Sequence, residues 1–329
     1  MRYQITGFGD CVEDIFILAP SKLLKDGRYF GGKTKYLAYQ YGEKIPVSEV
    51  HYGLGGSACN AIVAMAKMGI KSAFATVLGS NSLNSEVLQV FKKHKISTKF
   101  ILRGPHEKFG FSLVLIGPDG DRTILIYREK NDYSKIDVKK IVKASDAVYV
   151  GGIAPHFAIL QEKILGALDG TSKKLYLNPS GYQLEKQYKV LKKMVARSEI
   201  VAVNFEEALQ LTRKSSAEIK DLLCAICNMG AAKVIVTRGR HGAFYHDGSK
   251  FFKVSAMKIK ARGSAGSGDA FFGSFVATQI KGFSTEDSLK FAAINGAGVA
   301  SFYGAQKGQM NLRELKEIAR KNKVKVSRI

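Results

Sequence analysis

Acidic residues are scarce in this chain of 329 residues: 28 Asp and Glu stand against 51 Lys and Arg, a formal charge of +23 at pH 7. That balance favours anionic partners such as phosphorylated metabolites, nucleic acid or an acidic lipid surface. The Lys and Arg are spread along the chain, however, which is how a solvated basic surface reads, and the densest run, Arg313 to Arg328, reads as a basic terminal helix and tail. No aromatic-basic signature of a nucleic-acid module accompanies it, so nucleic acid is not an expected partner. Long apolar runs are also missing. Without a stretch of about 18 apolar residues no transmembrane helix is expected. The opening MRYQITGFGD is too short and too interrupted by polar residues for a signal peptide, so the reading is cytoplasmic, with no membrane partner.

Only four cysteines occur, Cys11, Cys59, Cys224 and Cys227, too few for a disulfide scaffold in a chain this long. Cys224 and Cys227 have metal-like spacing, but no second pair follows, and DLLCAICNMG reads as an apolar helix face carrying core thiols. The six histidines show no metal spacing. Six prolines against 33 glycines point to tight turns rather than a disordered Pro-rich chain. Two nucleotide signatures are absent. There is no Gly-x-x-x-x-Gly-Lys-Ser/Thr loop, and Gly7-x-Gly9 lacks the third glycine of a dinucleotide fingerprint, which disfavours a dehydrogenase.

What is present is alternation. Short apolar runs at 3–9, 72–78, 147–152, 174–178, 199–203 and 233–237 predict strands; amphipathic stretches at 57–69, 84–94, 205–212, 216–229 and 268–281 predict helices. This order implies right-handed βαβ units, hence a mostly parallel sheet with helices on both faces. Residues of about 11–50 and 98–130 break it. There, GFSLVLIG, the turn Pro118 to Asp121 and RTILIYRE make a hairpin signal, which implies a small sheet beside the main domain, read as a lid. Tyr29, Phe30, Tyr36, Tyr39 and Tyr41 in the first insertion suit either stacking on a base or packing of that lid.

The strongest local chemistry is Gly263-Ser264-Ala265-Gly266-Ser267-Gly268-Asp269, small residues running into an apolar helical pattern with one acid at the junction. Such a turn presents backbone amides at a helix N-terminus, an anion hole, with Asp269 beside it as a candidate base. A tight turn capped by Asp is the plain alternative. Gly55-Gly56-Ser57-Ala58-Cys59-Asn60 combines close-approach glycines with an Asn that offers a donor and an acceptor to hydroxyls. Asn204-Phe205-Glu206-Glu207 and Thr237-Arg238-Gly239-Arg240-His241-Gly242 each follow a predicted strand, and a first-turn acid pair or a plain turn explains either one alone.

Together, and in this order, these segments resemble the ribokinase-like (pfkB) carbohydrate kinases, leaning to the adenosine/nucleoside kinase branch. Gly266-Ser267-Gly268-Asp269 matches the end of that family's second signature, and Gly55-Gly56-x-x-x-Asn60 its first. The resemblance implies Asp269 as catalytic base and Gly266, Ser267 and Gly268 as anion hole. It implies Asp14, Gly55, Gly56, Asn60 and the hairpin's Arg122 at the acceptor, with Asp10 as a rival to Asp14. It places Asn178, Thr237, Gly239, Gly242 and Asn295 on the nucleotide, with helix packing an equal reading of Asn295, and Asn204 and Glu207 on Mg²⁺ through water. Gly263 replaces the usual first Asp of the second signature, which removes the acid that lies near a monovalent-cation site in many members.

The implied protein is one ribokinase-like α/β domain over 1–329: a central, mostly parallel sheet flanked by helices, with a small β-sheet lid from about 11–50 and 98–130. Its implied activity is transfer of a phosphoryl group from ATP, with Mg²⁺ as cofactor, to a hydroxymethyl group of a sugar or nucleoside. A phosphorylated sugar as acceptor and a non-catalytic nucleic-acid-binding protein on a kinase fold are the alternatives. A homodimer through the lid is one implied assembly.

Overall fold

The computed structural model describes residues 2–25, 35–79, 83–103, 110–128, 131–152 and 158–329. Ten strands form the central sheet, in the order Val326–Arg328, Phe251–Val254, Ala243–His246, Val234–Thr237, Ile200–Asn204, Lys174–Leu177, Ser145–Val150, Tyr3–Phe8, Ser72–Leu78 and Ser97–Arg103. The seven from Val234–Thr237 to Ser97–Arg103 run parallel, and the other three add an antiparallel edge. Strand alternation divides the core into two layers. Ile5, Tyr149, Tyr176, Ala202 and Ile235 face the helices Ser57–Lys67, Ser267–Ile280 and Thr285–Ala300. Val148, Val150, Leu177, Val203 and Val236 face the opposite layer, which includes the helices Tyr188–Arg197, Phe205–Thr212 and Ile219–Asn228.

The second sheet has the order Glu49–Gly55, Val12–Leu18, Gly110–Ile116, Arg122–Tyr127. Its central pair is parallel and its outer pairs antiparallel. Phe16, Val114 and Ile116 on its inner face pack with Leu18 against Ala265 and Tyr303 of the main domain. The lid therefore sits on the loop that leads into the Ser267–Ile280 helix.

Two sequence expectations need correction. The lid's second insertion starts later than 98, because Ser97–Arg103 pairs in parallel with Ser72–Leu78 in the central sheet. The basic terminal helix is Leu312–Lys321, opened by a reciprocal cap between Asn311 and Glu314, and the tail after it carries the edge strand Val326–Arg328. Tyr36, Tyr39 and Tyr41 are exposed and do not pack the lid core; Tyr29 and Phe30 lie outside the described residues.

Candidate active site

Two helices bring the site together. A methyl group on Gly273 would lie 2.6 Å from the Ala61 carbonyl, so the helices Ser57–Lys67 and Ser267–Ile280 touch backbone to backbone at this pair of small residues. Their N-termini consequently stand side by side. Gly266 caps the second helix at φ +76, a left-handed conformation that suits glycine, and a Cβ there would meet the Ala305 carbonyl at 2.4 Å. Ser267 commits its amide to the Ser264 carbonyl at 3.2 Å. The amides of Gly266 and Gly268 have no carbonyl partner among the described residues, as first-turn donors do not. The expected three-amide hole is therefore chiefly Gly266 and Gly268, and a side chain at Gly268 would project into open space.

Asp269 in that first turn is gripped by the other helix. Asn60 donates through Nδ2 to one carboxylate oxygen at 2.9 Å, and Ser57 Oγ lies 2.7 Å from the other. Its accessible surface is that of a half-buried residue, yet the protein around the carboxyl is dense. Burial pushes the group up from its ordinary acidity, and the bonds from Asn60 and Ser57 oppose that. Asn60 has further partners that sequence reading missed. Gln306 donates to its side-chain oxygen at 3.1 Å and Gln309 to its backbone carbonyl at 3.0 Å.

On the lid side, Gly55 faces Asp14 so closely that a Cβ would lie 2.1 Å from the carboxylate, and Gly56 follows at φ +98 as the N-cap of the Ser57–Lys67 helix. Burial pushes the Asp14 carboxyl up to about 6 against the pull of Ser112 and Arg128, while Asp269 and Glu13 raise it further. Asp10, the rival acid, is also buried, and the Tyr133 hydroxyl donates to it. Arg128 lies beside both acids and is itself largely buried. It donates to the carbonyls of Phe111 at 2.9 Å and Tyr127 at 3.0 Å.

The nucleotide-side candidates gather at the carboxyl edge of the sheet. Thr237 pairs in register with Asn204, so the two strand ends stand together. Gly239 and Gly242 bracket a single 3-10 turn at φ +48 and +86. Asn204 and Glu207 form a reciprocal cap, with the Asn side chain accepting the Glu207 amide at 2.8 Å and Glu207 accepting the Asn204 amide at 2.9 Å. Burial pushes Glu207 up to about 7, opposed by the Asn204 amide and reinforced by Asp269 and Glu206. The influence of Asp269 ties this cap electrostatically to the candidate base.

A sequence profile decides the affiliation: that of the pfkB family carbohydrate kinases matches residues 29–311. The chain belongs to this family. A ribokinase of Staphylococcus aureus is 24% identical over 293 residues, covering 85% of this chain and 92% of the relative. A cytidine kinase of Thermococcus kodakarensis is 33% identical over 149 residues, 44% of this chain and 52% of the relative. The fold matches the structure of Arabidopsis thaliana ribokinase complexed with ribose and ATP at TM-score 0.79 and 18% identity, covering 97% of this chain and 99% of that one. The protein is thus a phosphotransferase of the carbohydrate-kinase kind.

Two expected residues of the kinase are displaced from the site, and a third moves within it. Arg122 is exposed, with Asp121 as its ion-pair partner at 3.4 Å. It pairs with Ile116 at the far end of the lid, whereas Tyr127 pairs with Phe111 next to the Gly55–Val12–Gly110 end that borders Asp14. Six residues of strand, about 20 Å, separate it from Arg128, the lid arginine whose charge acts on Asp10 and Asp14. Asn295 is fully buried and spends both polar ends on packing, donating to Ser274 Oγ at 2.6 Å and accepting from the Met310 amide at 2.8 Å. It is a satisfied core residue, which accords with the helix-packing reading. Asn178, expected on the nucleotide, sits behind Ser57, with its Oδ1 2.8 Å from the Ser57 hydroxyl that contacts Asp269.

Proposed function

We propose that the protein transfers the γ-phosphoryl group of ATP to a hydroxymethyl group of an uncharged sugar or nucleoside, with Asp269 as general base. The observation that carries this reading is one carboxylate held by two distant motifs. Asp269 lies at the glycine-rich helix start, and Ser57 and Asn60, 212 and 209 residues away, converge on it. The ribose- and ATP-bound Arabidopsis relative supports the substrate classes.

Asp14 receives acceptor hydroxyls, and Gly55 leaves them room against the backbone. Asp269 takes the proton of the attacking hydroxyl as the new P–O bond forms. The Gly266 and Gly268 amides face the charge on the transferring phosphoryl group. Among the described residues no group of three or more His, Cys, Asp and Glu is placed to hold a metal, which fits a hard cation that keeps most of its waters. Glu207, beside Asn204, would hold Mg²⁺ through water, and the ion would neutralise the nucleotide phosphates. Closure of the lid excludes water from the phosphoryl group.

The acceptor side favours neutral compounds over the phosphorylated-sugar alternative. Asp10, Asp14 and Asp269 present three acids, and the nearby Arg128 turns guanidinium N–H groups to the Phe111 and Tyr127 carbonyls. An anionic sugar would meet like charge in a low-dielectric site.

The lid's outer side exposes Val50, Tyr52, Leu125 and Tyr127, and its edge strand Arg122–Tyr127 is exposed throughout. That supports pairing with a second copy, which sedimentation velocity at micromolar protein checks.

The functional test is coupled ADP release with Mg²⁺ and ATP over ribose, fructose, adenosine, inosine, guanosine, cytidine and sugar phosphates, beside Asp269→Asn. A neutral acceptor whose turnover falls about 10²–10⁴-fold in the variant is the expected result. Full turnover in Asp269→Asn removes Asp269 as base. Phosphoryl transfer to none of them, together with salt-sensitive nucleic-acid binding, would favour the binding-protein reading instead.

A further inference from the structure

A count of protons beneath the base gives a result that the hydrogen-bond distances alone do not state. Ser57 Oγ lies 2.7 Å from a carboxylate oxygen of Asp269 and 2.8 Å from Oδ1 of Asn178. Both neighbours are oxygens, and a serine hydroxyl has one proton. The Asn178 amide cannot be turned around to supply the missing donor. Its Nδ2 faces the Ala202 carbonyl at 2.8 Å, a place only a donor can fill, and its backbone amide is fixed on the Val150 carbonyl at 2.9 Å. The second oxygen of Asp269 already accepts from Asn60, whose orientation is fixed in turn by Gln306.

With Asp269 ionised, one of the two short oxygen–oxygen contacts lacks a proton. With a proton on Asp269, every contact is satisfied: the carboxyl donates to Ser57, Ser57 donates to Asn178, and Asn60 donates to the other carboxyl oxygen. These contacts fit the protonated carboxyl, the form a base has once it has taken the acceptor's proton.

We propose that Ser57 is a positioning residue whose hydroxyl follows the base, donating to Asn178 while Asp269 carries a proton and turning to donate to Asp269 when that proton leaves for solvent. The proposal rests on the reading of Asp269 as general base. It assigns to Ser57 a part in each proton cycle, and it makes Asn178 the seat on which that hydroxyl waits. The charge of this carboxyl in turn acts on Asp14 from the lid, on Glu207 from the Phe205–Thr212 helix and on Tyr149 from the sheet below, a buried phenol that stays protonated and whose hydroxyl also meets Ser57. All three are acids, and none is altered in the test.

The test is a ¹³C NMR titration of full-length protein labelled at the aspartate carboxyl carbons, with Asp269→Asn identifying the Asp269 signal. Ser57→Ala removes the donor to the ionised form, so the Asp269 midpoint moves up by about 1 pH unit, the worth of a hydrogen bond to a charged group. Asn178→Ala removes the seat and leaves the Ser57 proton to Asp269, so the midpoint moves down. Because Asn178 acts through Ser57, the double variant behaves as Ser57→Ala alone. The acid limb of kcat/KM moves in the same opposite directions. A merely structural role does not give opposite shifts. An Asp269 midpoint that rises or stays still in Asn178→Ala overturns the proposal, and this arm decides the question without Ser57→Ala. Full turnover in Asp269→Asn would instead remove the base itself, a separate failure that leaves the titration interpretable.

Discussion

Asp14→Asn separates the price of the acceptor site from its use. The wild-type carboxyl is buried, with Asp269 and Glu13 acting on it, and its acidity is pushed from an ordinary 3.8 to about 6. The native state therefore holds this proton more tightly than the unfolded chain does. The stability contributed by the protonated form is complete below about pH 4. It is lost as pH rises through 6, at about 1.4 kcal/mol per pH unit, to a total of about 3 kcal/mol. Asn is nearly isosteric and carries no charge, and Arg128 keeps Asp10 as a counter-charge. Asp14→Asn and wild type should therefore unfold alike at pH 4. Above pH 6.5 the variant should be the more stable protein by up to about 3 kcal/mol, about 4 °C in Tm for a chain of this length. The acceptor KM should rise about 10–100-fold through loss of a charged hydrogen-bond acceptor. Thermal unfolding at pH 4.0, 5.0, 6.5 and 8.0 reads the first effect and steady-state kinetics the second. A stability difference that is the same at every pH would refute the reasoning, since burial of the ionised form is the main cause of the raised acidity.

Three further outcomes follow from the geometry. Gly266→Ala places a Cβ 2.4 Å from the Ala305 carbonyl at φ +76, so it should lower kcat at least tenfold and lower Tm, read by the coupled assay and by calorimetry. Arg122→Ala should leave turnover within about twofold, because among the described residues its ion pair is with its neighbour Asp121 at the lid's far end; Arg128→Met should cost about 1–3 kcal/mol in urea unfolding by leaving the Phe111 and Tyr127 carbonyls without their donor and Asp10 and Asp14 without the nearby positive charge, and equal effects of the two substitutions would contradict the placement of the lid. Glu207 ionises near 7, so the Mg²⁺ concentration for half-activation should rise as pH falls from 8 to 6, and Glu207→Gln should flatten that dependence.

The legible part of this protein is the part where backbone conformation restricts residue type. The parallel strands announce themselves because burial on both faces demands continuous apolar runs. The candidate base was legible because a left-handed Gly266 packed on Ala305 needs glycine, and an acid then follows at the helix start. The Thr285–Ala300 helix gave no comparable period, since it is buried nearly all round and has little polar face to mark it. Arg122 and Arg128 show the limit more sharply. They belong to one hairpin, six residues apart and of the same parity, so both fit the pattern of a lid arginine. Only the register of Arg122–Tyr127 against Gly110–Ile116, and of that strand against Val12–Leu18, decides which end meets Asp14. Asn295 fails for the opposite reason. A buried Asn in a small-residue helix looks functional until Ser274 and the Met310 amide are found to satisfy it. Gln306 and Gln309 sit 246 and 249 residues from Asn60 in ordinary backbone, with nothing local to mark them. The same holds for Ser57, whose significance lies in having one proton for two oxygens from different elements. Motifs report what a short segment must do to its own backbone, whereas a hydrogen-bond count belongs to the assembled site. The candidate base was therefore open to sequence reading, and the hydrogen bonds around its carboxyl were open only to the fold.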